Sequence, residues 1–88
     1  MNEERWEGEA QVVLFDGLTI DSHVVRHRTP DGLWFGVATI DAVVAVSVGD
    51  PIQCLIPGQG APVAGLVTNV TTHAGVNSPR ATSIRFES

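Results

Sequence analysis

Glu9-Ala10-Gln11-Val12-Val13-Leu14-Phe15 and Leu18-Thr19-Ile20-Asp21-Ser22-His23-Val24-Val25 flank the dipeptide Asp16-Gly17. A two-residue alternation places Ala10, Val12 and Leu14 on one side of the first run, and Leu18, Ile20 and Val24 on one side of the second. That is the period of half-buried strands. Two such runs around Asp-Gly predict an antiparallel hairpin with a type I′ turn, whose two central residues both need positive φ.

The same cadence continues along the chain. Pro30-Asp31-Gly32, Gly49-Asp50-Pro51, Pro57-Gly58-Gln59-Gly60 and Asn77-Ser78-Pro79 separate further Val- and Ile-rich runs at 33–40, 52–56, 63–72 and 80–86. Thr82, Ile84 and Phe86 share one face of the last run. Residues 43–48 read as a fourth strand, or as a continuation of the third around a corner at Asp41-Ala42. Short β-branched runs between regular breakers predict an all-β domain, a small six- or seven-stranded antiparallel, partly open barrel over residues 1–88. Gly36 and Gly65 offer bends for closure. The runs 33–40 and 43–48 are apolar on both faces, which calls for a cover, either the N-terminal segment or another subunit in a homodimer.

Composition narrows the function classes. The formal net charge is −5, with five arginines and no lysine, whereas nucleic-acid binding needs clustered cations to displace counterions. Neither nucleic acid nor a membrane is an expected partner: no run approaches the ~20 apolar residues of a span, and Met1-Asn2-Glu3-Glu4-Arg5 is acidic where a signal peptide is basic. Cys54 is the lone cysteine, which excludes an internal disulfide, suits a reducing cytoplasm, and reads as a small buried hydrophobe. Glu3, Glu4, Glu7 and Glu9 crowd the start. Residues 1–8 are therefore expected to be frayed, or to form a short covering segment anchored by Trp6.

Few residues carry candidate chemistry. Asp21, His23 and His27 share one face of the second strand and its extension, the arrangement by which side chains two apart converge on a metal ion, against the plainer reading of a solvated polar face. Arg26-His27-Arg28 is the local basic cluster. Arginines separated by one residue point to the same side and can hold a phosphate or carboxylate bidentately, with Trp34 close by as an aromatic wall. The ordinary reading is a charged strand end balancing Asp21 and Asp31. The loop Pro57–Pro62 joins two strands, so it reads as a hairpin loop rather than a phosphate cradle, which delivers its ligand to a helix N-terminus. No nucleophile has a supporting local motif, and no cofactor is expected.

Val48-Gly49-Asp50-Pro51-Ile52-Gln53-Cys54-Leu55-Ile56-Pro57, Ala64-Gly65-Leu66-Val67-Thr68-Asn69-Val70 and Ser83-Ile84-Arg85-Phe86 resemble the closing strands of PilZ-type barrels. Members of that family that bind cyclic di-GMP carry Arg-x-x-x-Arg ahead of the barrel and Asp/Asn-x-Ser-x-x-Gly on a strand; this chain has neither. Arg26 and Arg28 differ in spacing and place, and Thr39-Ile40-Asp41-Ala42-Val43-Val44 keeps only an aspartate. The resemblance implies a degenerate member that has lost nucleotide binding and works through protein contacts. The sequence reading is therefore a non-catalytic binding or adaptor module. A small-ligand or nucleotide barrel using Arg26, Arg28 and Trp34 stands second, and a metal- or Cys54-dependent enzyme third.

Overall fold

The computed structural model describes residues 4–58, 60–74 and 80–88. Six strands, β1 (Glu4–Val13), β2 (Thr19–Arg28), β3 (Trp34–Ile40), β4 (Pro51–Leu55), β5 (Val63–His73) and β6 (Ala81–Glu87), form an antiparallel barrel in the order β1-β2-β3-β6-β5-β4. The small all-β barrel read from the sequence is the fold. The ring is closed, where a partly open one was expected, and its last seam is short: β1 meets β4 only at Gln11↔Leu55, Val12↔Cys54 and Val13↔Gln53. The turn signal at 77–79, Gln59 and residues 1–3 lie outside the described residues.

Residues 43–48 are not a strand. β3 and β4 stand opposite each other in the ring, so the chain between them must cross one end of the barrel. It stays extended and alternating, with Val44 and Val46 turned onto the core and Val43 exposed. Its backbone is bonded to side chains instead of a ladder. The buried hydroxyl of Thr82 accepts from Val44 N–H at 3.4 Å and donates to the Ala42 carbonyl at 2.7 Å. Beyond it, Gly49 N–H and the Asp50 carbonyl bond the backbone of Val67 at 2.8 and 2.9 Å.

The β1–β2 turn also differs from expectation. Leu14 N–H bonds Leu18 and Gly17 N–H bonds Leu14, and among the described residues no non-glycine has positive φ. This is a three-residue loop, a type I turn closed by a left-handed Gly17 at φ 87°, so Asp16 avoids the strained region that a type I′ turn would impose. Thr29–Leu33 repeats the same bonding around Gly32.

Residues 4–8, expected to be frayed or a cover, belong to β1 and pair with residues 24–28 of β2. Phe35, on the outward face of β3, is instead shielded by its neighbours: the His27 ring stacks on it at 5.0 Å and the Arg85 guanidinium lies 4.9 Å from its centroid.

The interior holds Val12, Val24, Ala38, Ile40, Ile52, Cys54, Val67, Ile84 and Phe86, each at most 2% exposed. In β5 the register shifts between Val67 and Asn69. Thr68 is the extra residue, its hydroxyl donating to the Arg85 carbonyl at 3.3 Å, and the bulge moves the inward position from Val67 to Val70. No helix among the described residues is long and apolar enough to cross a membrane.

Candidate functional site

The two ends of the barrel are unequal because the connections are. One end is crossed by residues 41–50. At the other, the loops 29–33 and 56–62 join adjacent strands, so each turns back at the rim and leaves a mouth. Cross-strand partners share a face, and Val24 points into the core; Arg26 and Arg28 therefore follow on the inward side of β2. Arg26 pairs with Trp6 on one flank and Gly36 on the other, and Arg28 pairs with Glu4 and Trp34.

The sequence-predicted trio converges. Arg26, Arg28 and Trp34 line one cavity of about 380 Å³ together with Gly32, Pro62, Val63 and Ala64. Arg26 and Trp34 are half-buried and Arg28 is exposed. Among the described residues, neither guanidinium has a hydrogen bond or ion pair with a protein group. The acids once expected to balance them are engaged elsewhere. Asp21 accepts from Gln11 at 3.3 Å, and Asp31 accepts from the Thr29 hydroxyl, which holds its carboxyl below the usual range. Glu87 accepts from Arg85 at 3.4 Å. In the core, burial pushes the Cys54 thiol up, partly offset by the positive charge of Arg26. Cys54 is thus a buried core residue whose environment favours the thiol over the thiolate.

The candidate metal ligands do not converge. Asp21 is bonded to Gln11, His27 stacks on Phe35, and no group of three metal-binding side chains occurs among the described residues. His23 instead bridges two carboxylates of β1, with Nε2 2.9 Å from Glu7 and Nδ1 3.0 Å from Glu9. Hydrogen bonds to Glu7 and then Glu9 raise the His23 pKa from its ordinary 6.5. Bonds from His23 and then Arg5 lower that of Glu7.

A histidine whose folded pKa lies above its unfolded one stabilises fully below about pH 6.5 and loses that contribution as pH rises through the folded value. Thermal unfolding at about pH 6 and about pH 8.5 should show the wild type losing roughly 1–4 °C more than His23→Gln, the size expected of an exposed ion-pair cluster.

One pair escaped the sequence reading. Ser83 Oγ donates to His73 Nε2 at 2.7 Å, and His73 Nδ1–H donates to the Ala74 carbonyl at 2.9 Å. The tautomer would suit a general base, yet a carbonyl stands in the orienting place of a carboxylate and the ring is on the exposed sheet face. The only signal was parity across β5 and β6, which becomes readable once the bulge at Thr68 is known.

A concavity of about 790 Å³ lies where β1 outruns the short β4 and is lined by Glu9, Gln11, Asp21, Pro57, Gly58 and Pro62 among others. Its lining among the described residues carries no serine, cysteine or histidine.

Large apolar side chains collect at the crossed end. Phe15 and Leu18 at the β1–β2 turn, and Val43 and Val48 of the crossing segment, are 51–65% exposed. Phe15 shares a shallow depression with Pro51 and Gln53, and Pro51 is the cross-strand partner of exposed Leu66. No family model, curated protein or solved structure matches this chain.

Proposed function

We propose that this barrel is a non-catalytic binding module that acts through protein contacts, with a second copy of the chain as its first partner. The observation that carries the reading is the collection of Phe15, Leu18, Val43 and Val48 at the crossed end, beside the Pro51–Leu66 pair. Isolated apolar side chains on a surface need no explanation, but several gathered on one end form the kind of patch that association buries. The likeness of the closing strands to PilZ-type barrels lacking the nucleotide motifs supports the same reading. It involves no cofactor, nucleic acid or membrane, and the lone Cys54 suits a reducing cytoplasm.

Sedimentation velocity over a roughly hundredfold concentration range tests it. The wild type is expected to show a rising average sedimentation coefficient, and Phe15→Ser with Val48→Ser is expected to flatten it. Both substituted residues lie in loops with exposed side chains, so the variant keeps its fold. A wild type that stays monomeric throughout overturns the reading.

A further inference from the structure

We propose that the barrel mouth is a binding site for a small phosphate monoester, its phosphate held by Arg26 and Arg28 and its organic part resting against Trp34. Removing a charge from water without a partner is costly, so half-buried arginines in folded proteins are normally paired. Arg26 departs from that rule: it sits on the inward face between Trp6 and Gly36, is half-buried, and has no protein acceptor among the described residues. Arg28, two residues on along the same face, is exposed and likewise has no acceptor among the described side chains.

Two cations thus line the cavity in a chain whose net charge is −5, and among the described side chains neither has a counter-ion. Asp31, in the loop between the two strands, is held by Thr29, Glu87 on the outward face by Arg85, and Glu4 is the β1 register partner of Arg28. A single ligand group that satisfies both guanidiniums must present several acceptor oxygens and close to two negative charges, which a phosphate monoester does at neutral pH and a single carboxylate does not. The cavity of about 380 Å³ falls within the size range of small-molecule sites. The Trp34 indole, braced edge-on by Phe86 at 5.5 Å and 74°, gives it a fixed apolar wall. The indole is also packed closely against Gly65, which leaves no room for a side chain between Trp34 and the Glu87 backbone.

Calorimetric titration and tryptophan fluorescence with inorganic phosphate, phenyl phosphate and phenol at constant ionic strength test the proposal. Both tryptophans flank the site, Trp6 across from Arg26 and Trp34 across from Arg28, so occupancy is expected to change emission. Phenyl phosphate should bind more tightly than inorganic phosphate, phenol should give no signal, and bound phenyl phosphate should raise the unfolding midpoint by about 5 °C or more near saturation. Arg26→Gln with Arg28→Gln should weaken phenyl phosphate at least tenfold while leaving the midpoint in chloride buffer unchanged or higher, because neither side chain holds a protein group among the described residues. No response to either phosphate probe overturns the proposal, and so does a double variant that binds phenyl phosphate as tightly as the wild type.

Discussion

Phe86→Ala is expected to lower the unfolding free energy by about 3–5 kcal/mol, the cost of emptying a large aromatic site in a core that cannot collapse around it. Phe86 is 1% exposed and lies in register between Gly36 of β3 and Val67 of β5. A methyl group added at Gly36 would stand 2.9 Å from its ring, so the aromatic occupies the space that Gly36 leaves. A domain of this length has on the order of 5–10 kcal/mol in total, and the variant should be close to unfolded at 37 °C. Urea denaturation reads this as a large fall in midpoint at constant slope. A loss below about 1 kcal/mol would mean that Phe86 does not fill the space beside Gly36.

Gly65→Ala is the second large effect, expected to cost about 2–3 kcal/mol as overpacking. The new Cβ would lie 2.6 Å from the Glu87 carbonyl oxygen and 3.0 Å from the edge of Trp34. The first neighbour is backbone held in the β5–β6 ladder and cannot withdraw; the second is the wall of the mouth. Gly8→Ala makes the matched control, since its Cβ would meet only the Trp6 ring, at 3.1 Å, and a side chain can turn away. Thermal unfolding should separate the two variants clearly, and near-ultraviolet circular dichroism of Gly65→Ala should report a displaced Trp34. Equal midpoints for the two would show that the β5–β6 seam gives way as easily as a rotamer.

The barrel was legible because turn chemistry and period-2 alternation are local. Asp16-Gly17 and Pro30-Asp31-Gly32 fixed two hairpins, and Ala10, Val12 and Leu14 pointed inward as their parity required. Residues 43–48 misled because an extended segment over an open end has the same in-and-out alternation as a strand; only its bonding to Thr82 and the lack of a ladder tell the two apart. The acidic start misled for a related reason: Glu7 and Glu9 are tolerated in β1 because their side chains face outward onto His23, a contact supplied by another strand. Of the candidate sites, Arg26 and Arg28 shared a face by parity alone. Their joining with Trp34 at a mouth depended on which connection crosses the barrel and which turn back, and that is a property of the whole chain.

The crossing segment 41–50 divides the chain into two three-stranded meanders, β1-β2-β3 and β4-β5-β6, each built only from hairpins. Strand pairings within a meander join successive strands, whereas the two seams between them join residues as distant as Gly36 and Phe86 or Val12 and Cys54. Those two seams close the longest loops among the strand pairings and so carry the largest entropic cost of the fold. Because the halves meet through seams and not through a shared strand, β4-β5-β6 of one molecule fits β1-β2-β3 of another without any new contact. The span of 41–50 across the barrel end is what keeps that union within one chain. Shortening it below the width of the barrel end is expected to favour exchange of halves between copies.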